Sequence, residues 1–398
     1  MRLTVLALTA CLCVAADWPQ WRGPNRDGVL PAASAPKAWP DQLERRWSIE
    51  IGEGHSSPLL GGGRIYAFAR LRGEEIVYGV DPGPGKVVWR QAYAAPYSMN
   101  PAATRHGEGP KSTPVFHAGR LYTFGISGIL SAWDAASGRL LWRKDFSKSP
   151  LYGTAMSPMI DESRLIAHVG GHDDGALTAF DAATGEVRWS WKGDGPAYSS
   201  PIVATLAGVR QIVTHSQQNL VGVSAQTGEL LWKSPFTTAY VQNIVTPLVY
   251  ADTIIYSGLG NGTAAVRVAK QGNQWSAERV WHTAEVSMYM NSPVLAGDLL
   301  FGFSHRNRGQ YFCLDPRSGK TLWLGEPRSG DNAAMVLAGG HLFLLNNEAA
   351  LVIARPSAKA FEVMRKYTVA SSPTWAHPLL LDNGVVIKDL KSLALWTW

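Results

Sequence analysis

Hydrophobic residues in this chain come in short runs cut by Gly, Asp, Ser and Pro, and beyond residue 16 no stretch keeps the 3.6-residue period of an amphipathic helix. The segment after Thr113 shows the repeating unit. Pro114–His117 is a short, largely apolar strand and Gly119 turns the chain. Leu121–Phe124, Ile129–Trp133 and Arg139–Lys144 then read as three further strands. Strands this short, separated by turn residues at this density, predict an all-β fold.

One pattern recurs with the strands. Asp134-Ala135-Ala136-Ser137-Gly138 is followed four residues later by Trp142, and Asp181-Ala182-Ala183-Thr184-Gly185 by Trp189. Looser copies run from Asp81 to Trp89, Ser224 to Trp232 and Asp315 to Trp323. The Asp and Ser/Thr side chains can hold local backbone amides, while Gly138 and Gly185 supply the positive φ of a tight hairpin. The Trp then points off the outer strand toward the next unit. Burying one indole removes roughly 200 Å² from water, at most about 5 kcal/mol. Trp89, Trp142, Trp189, Trp232 and Trp323 are therefore assigned to the architecture, as are Gly138 and Gly185.

Anchored on Trp47, Trp89, Trp142, Trp189, Trp232, Trp281, Trp323 and a degenerate Met364, the spacings are 42, 53, 47, 43, 49, 42 and 41 residues. A Ser/Thr-Pro step opens most units, as at Ser57-Pro58, Thr113-Pro114, Ser157-Pro158, Ser200-Pro201, Thr246-Pro247 and Ser292-Pro293. A period in the forties with four strands per unit predicts an eight-bladed β-propeller of four-stranded antiparallel blades. The last unit, from His377, has strands for three positions before the chain ends. Arg46–Ile51 is an outer-strand sequence with no blade before it, so an N-terminal strand completes the last blade. The expected organisation is an export signal over 1–16, an arm over 17–44 that packs across the propeller, and the propeller over 45–398.

The export reading rests on Arg2, the apolar stretch Leu3–Cys13, and Val14-Ala15-Ala16 before Asp17. That stretch is too short to span a membrane. A periplasmic location follows. A competing reading takes Leu8-Thr9-Ala10-Cys11 as a lipoprotein box, with a lipid anchor at Cys11 and attachment to the outer membrane; an extracellular location is the other alternative. Simple cleavage leaves Cys313 as the remaining cysteine, in a strand-like run suited to a buried thiol. The net charge of +6 is spread without a Lys/Arg tract, which argues against a nucleic-acid partner. A monomer is expected.

The blade motif resembles that of the pyrroloquinoline-quinone-like (PQQ-like) β-propellers, and the opening Asp17-Trp18-Pro19-Gln20-Trp21-Arg22-Gly23-Pro24 looks like exported bacterial members. The resemblance implies an eight-bladed propeller and leaves function open. The family includes calcium- and quinone-dependent alcohol and sugar dehydrogenases, and also non-enzymatic propellers, among them a lipoprotein subunit of the outer-membrane protein assembly machine. Many of the dehydrogenases carry adjacent cysteines beside the quinone, which Cys313 alone does not reproduce. No residue here matches their calcium ligands or catalytic Asp, so no catalytic residue, cofactor or metal site is assigned; PQQ and calcium belong to the alternative reading as a dehydrogenase.

Propellers bind ligands where loops lead into the inner strands. Stepping back three residues from each inner-strand anchor gives His55, Lys111, Ala155, Tyr198, Ile244, Met290, Asn332 and Trp375. The longest insertion, Tyr97–Pro110, adds Arg105 and His106. Of these, His55, Lys111, Tyr198, Met290, Asn332, Trp375, Arg105 and His106 are the binding candidates. His172-Asp173-Asp174 could be a metal-binding fragment and the basic loop at His305, Arg306 and Arg308 could meet an anion, but no second ligand cluster accompanies the first, and both read as solvated turns. The expectation is an exported binding or scaffolding module for a protein or small ligand at the channel face. The alternatives are the dehydrogenase and the lipid-anchored assembly factor.

Overall fold

Eight antiparallel sheets arranged around a channel account for nearly all the regular structure in the computed structural model, which describes residues 17–30, 35–36 and 38–398. The export segment and Cys11 lie outside the described residues. Blade 1 is Leu59–Gly61, Arg64–Leu71, Glu74–Val80 and Val87–Ala94, from channel to rim. Blades 2 to 7 follow in chain order with the same meander. Blade 8 takes Leu379–Leu381, Gly384–Lys388 and Ser392–Thr397 from the C-terminus and Glu44–Glu50 from the N-terminus. Trp47 lies opposite Leu395 and Ile49 opposite Leu393, so the two ends of the chain close the ring in one sheet. Lys388 fastens this closure. Its buried ammonium donates to the carbonyls of Gly52 at 3.1 Å and Asp389 at 2.9 Å.

Blade follows blade by a repeated contact between an indole and the next turn. Trp89 donates to the carbonyl of Ala135 at 3.1 Å, Trp142 to Ala182 at 3.2 Å, and Trp189 to Ala225 at 3.1 Å. Trp47, Trp281 and Trp323 do the same with Pro82, Pro316 and Ser357. The ring then lies over the glycine of that turn, except for Trp323, whose turn lacks one and which stacks on Phe361 at 5.6 Å. A Cβ on Gly138 would stand 2.5 Å from the Trp89 ring, and one on Gly185 2.9 Å from Trp142. The Asp closes the same turn: Asp134 accepts from the Ser137 amide at 2.8 Å and hydroxyl at 2.6 Å.

Two junctions depart from this rule, each for a visible reason. Trp232 donates to Gln211 of its own blade at 2.6 Å. The blade beyond it replaces the Asp-x-x-Thr-Gly turn with a long hairpin, Thr263–Gln271 and Gln274–Thr283, and Trp232 packs on its residues Val266 and Val268. Met364 occupies the Trp position of blade 7 because the third and fourth strands of blade 8 come from opposite chain ends, so no turn joins them. Trp39 and Trp398 fill the region beside it, with rings 5.3 Å apart, and Tyr367 donates to the Pro40 carbonyl at 2.7 Å.

The Ser/Thr-Pro steps also have a job. The amide of Ser57 donates to the Thr113 hydroxyl, Thr113 to Ser157, Ser157 to Ser200, Thr246 to Ser292, and His377 back to Ser57, all at 2.9–3.1 Å. These bonds tie neighbouring inner strands around the channel wall.

Residues 18–30 of the arm do not lie across the propeller; they enter the channel. Trp18 bridges Leu60 of blade 1, the Pro19 carbonyl accepts from Phe116 of blade 2, and Val29–Leu30 pairs in parallel with Leu337–Ala338 of blade 7. Two buried guanidiniums anchor it. Arg22 donates to the carbonyls of Ser292 (2.9 Å) and Pro293 in blade 6, and Arg26 to those of Ser157 (2.8 Å) and Pro158 (3.0 Å) in blade 3. Burial lowers their pKa values to about 10 and about 9, which leaves both protonated at neutral pH. Inner-strand carbonyls gain charge-assisted bonds, and the chain stoppers its own channel.

A pair of glycine substitutions isolates the indole contact. Gly138 and Gly119 both hold positive φ (76° and 72°), but a Cβ on Gly119 meets nothing within 4 Å. Gly119→Ala should cost about 1 kcal/mol from backbone strain alone. Gly138→Ala should cost about 2–4 kcal/mol, because Trp89 must also move. Urea unfolding midpoints of the two variants measure the difference.

Candidate functional site

The stopper turns the channel into a cup. Its cavity measures about 270 Å³, with Trp21 of the arm among its lining residues. Trp21 donates to the Thr246 hydroxyl at 3.0 Å and sets its ring edge-on to His377 at 4.5 Å. The wall comes from the loops that lead into the inner strands. His55, Lys111, Tyr198, Met290, Asn332 and Trp375 all line this cavity, as do Arg105 and His106. All eight residues picked out by position along the chain are thus brought together in space.

Arg105 and His106 arrive on a 3-10 helix, Pro101–His106, within the long insertion of blade 2. Asn100 caps it by accepting from the Ala102 amide at 3.0 Å. The helix reaches over the cup: the His106 ring meets Trp375 edge-on at 4.7 Å, and the Arg105 guanidinium lies 5.7 Å from the same indole. Arg105 also pairs with the exposed Asp331 at 3.4 Å. His55 stands 5.6 Å from Trp375, its backbone amide donating to Pro110 at 2.9 Å.

Tyr152, Tyr289 and Gln242 also line the cup and escaped the reading of the sequence. Tyr289 directly precedes the ring position Met290, and Tyr152 stands three residues before Ala155, so a wider window around each anchor would have included them. The Tyr152 amide donates to the Tyr198 hydroxyl at 3.2 Å, and Tyr289 donates to the Gln242 side chain. Trp21 had no positional signal, because the arm carries no repeat.

The electrostatics are one-sided. Arg105 and Lys111 are the cations of the lining, and no Asp or Glu belongs to it among the described residues. Burial, reinforced by the positive charges of Lys111 and its neighbours, pushes His55 down to about 3 and His106 to about 4. Both imidazoles are neutral at physiological pH. Burial alone lowers Lys111 to about 8. Tyr198 is raised by desolvation and keeps its proton. Two buried acceptors in this region, His55 Nε2 and Asn332 Oδ1, lack a hydrogen-bond partner among the described residues. A cup with aromatic walls and two cations suits an acidic ligand.

Comparison with known proteins fits this architecture. The family described as outer membrane protein assembly factor BamB, a PQQ-like repeat family, matches residues 73–325. The chain belongs to this family. The assembly factor BamB of Shewanella oneidensis is 26% identical over 254 residues, covering 60% of this chain and 62% of that protein. The BamB of Yersinia pestis is 24% identical over 304 residues, 72% of each chain. The dehydrogenase subunit of the quinone alcohol dehydrogenase of Komagataeibacter europaeus is 28% identical over 160 residues, but this is only 21% of its length. The chain therefore spans under two thirds of the first of these relatives and about a fifth of the last. In solved structures, BamB from Moraxella catarrhalis superposes with a TM-score of 0.62 at 14% identity over 89% of this chain and all of that one. The quinohemoprotein alcohol dehydrogenase from Comamonas testosteroni gives 0.71 at 13% identity, over 96% of this chain and 80% of that one. These likenesses establish the propeller fold and, with the family, a propeller scaffold.

Buried histidines make stability pH-dependent. His55 and His106 share their depression with His168 (about 4), His215 (about 3) and His377, all desolvated. An unfolded histidine titrates near 6.5. Between there and about pH 4 the unfolded chain binds protons that the folded chain refuses, so these groups lower stability as pH falls. The urea midpoint should be lower at pH 5 than at pH 7.5. His215 lies between Phe236 and Tyr256 with both ring nitrogens unpaired among the described residues, so His215→Phe should shrink that difference.

Proposed function

We propose that this protein is an exported binding propeller that receives an acidic group of a protein partner in the channel cup, and that it is not a quinone oxidoreductase. The carboxylate-free lining carries the reading. Arg105 and Lys111 face a wall of aromatic rings, and an entering carboxylate would gain charge-assisted hydrogen bonds away from bulk water. The loops that supply Tyr152 and Gln242 also expose Leu151 (40%) and Tyr240 (73%), apolar and aromatic surface of the kind protein interfaces use. The relatives named as outer membrane protein assembly factors support a protein as the partner and the periplasm as the place. Residues 1–16 serve as the export signal in this reading, with acylation of Cys11 as the variant that would anchor it.

The residues do not fit the cofactor of the dehydrogenase relatives. Calcium is held by carboxylate and carbonyl oxygens, and oxidation of an alcohol calls for a second carboxylate as base. Neither carboxylate belongs to the cup among the described residues, and no group of three or more His, Cys, Asp or Glu residues there is placed to hold a metal ion.

Two measurements test this. Calorimetric titration with PQQ should show no calcium-dependent heat at protein concentrations suited to micromolar affinity; tight binding abolished by chelator would restore the dehydrogenase. A photo-crosslinker at Tyr240, in the cells that make the protein, should trap a protein partner, and the Arg105→Glu/Lys111→Glu variant should lose that adduct.

A further inference from the structure

Lys111 is placed unlike an ordinary surface lysine. It sits on the loop leading into the inner strand of blade 2, three residues before Pro114, with Thr113 bonded to Ser157 and Pro110 accepting from His55 and Ser56. Its backbone is therefore fixed. Its ammonium donates to the Tyr152 carbonyl at 2.9 Å and forms no ion pair among the described residues. The groups facing it give it no negative charge. Arg105 and His106 come from the 3-10 helix, His55 from the loop of blade 1, and Tyr152 and Tyr198 from those of blades 3 and 4. Of the acids near this cluster, Asp331 is engaged by Arg105 at 3.4 Å and Glu108 faces Arg70 at 3.8 Å.

We propose that Lys111 is a nucleophilic amine that captures aldehyde- or ketone-bearing aromatic ligands in the cup as an imine. This goes beyond the acidic-group reading and does not depend on it. The neutral amine's lone pair forms a bond to the carbonyl carbon, and the π pair moves to oxygen. A proton passes from nitrogen to that oxygen to give a carbinolamine. A proton taken from solvent turns the hydroxyl into water, which the nitrogen lone pair expels, and the remaining N–H proton returns to solvent to leave the imine. No oxidant or reductant takes part. Trp375 and Trp21, both in the lining, offer aromatic surface to the ligand ring. The depressed basicity of Lys111, to about 8, supports the step by supplying free amine. At pH 7.5 roughly a quarter of Lys111 is neutral, against about a thousandth of an unperturbed lysine.

The test uses the folded, full-length mature protein with benzaldehyde, an uncharged probe, and cyanoborohydride to reduce any imine to a stable amine, followed by peptide mass mapping. The expected result is modification of Lys111 at least about tenfold faster than of the exposed Lys192 and Lys359. Its rate should level off above about pH 8, while theirs keeps rising. Lys111→Arg should abolish the fast adduct with its urea midpoint kept, since the guanidinium can still donate to Tyr152. Labelling of Lys111 no faster than Lys359, or only after unfolding, would overturn the proposal. Because the probe carries no acid, a failure here leaves the crosslinking result for the partner standing on its own.

Discussion

An indole laid over a glycine turn is the contact on which this molecule depends. A four-stranded blade cannot bury its own faces, so it is stable only against neighbours. The Trp of one outer strand supplies both apolar area and a directed N–H to the next blade, and the glycine beneath it leaves room for the ring. Where that contact changes, the reason lies in the blade that receives it. The long hairpin of blade 5 removes the turn and Trp232 turns to Gln211; the split origin of blade 8 removes the turn and Met364 suffices.

Closure and function meet in the N-terminal segment. The strand Glu44–Glu50 completes the last blade, and residues 18–30 lie in the channel. Arg22 and Arg26 reach blades 6 and 3, so the stopper also braces the ring from within. A channel closed in this way becomes a pocket whose bottom includes Trp21 and whose rim is built by loops. The loops are free to vary because the blades beneath them are held by the indole contacts, and this is how one scaffold serves an assembly factor and an alcohol dehydrogenase among the relatives.

The features that repetition imposes were legible in the chain. The spacing of Trp and Ser/Thr-Pro positions reveals eight blades, because each must meet the same geometric demand. The same register located His55, Lys111, Tyr198, Met290, Asn332 and Trp375, since a fixed offset from the inner strand is a fixed height in the channel. The path of the arm was not legible. Its partners are backbone carbonyls of Ser157, Pro158, Ser292 and Pro293, and a carbonyl has no side-chain signature. The hydroxyl ring that links Ser57, Thr113, Ser157 and Ser200 was visible as a marker, but its purpose emerged only when the strands stood side by side.

The central claim is that residues 18–30 are built into the channel and make it a cup. Hydrogen–deuterium exchange resolved by mass spectrometry tests it most directly. The Trp18 amide donates to Leu60 of blade 1, those of Gly23, Arg26 and Gly28 close turns of the arm itself, and Val29–Leu30 pairs with the inner strand of blade 7. A peptide covering this segment should exchange as slowly as the inner strands of blades 3 and 6. Exchange within seconds, at the rate of an unanchored tail, would mean that the channel is open and that the cup does not exist.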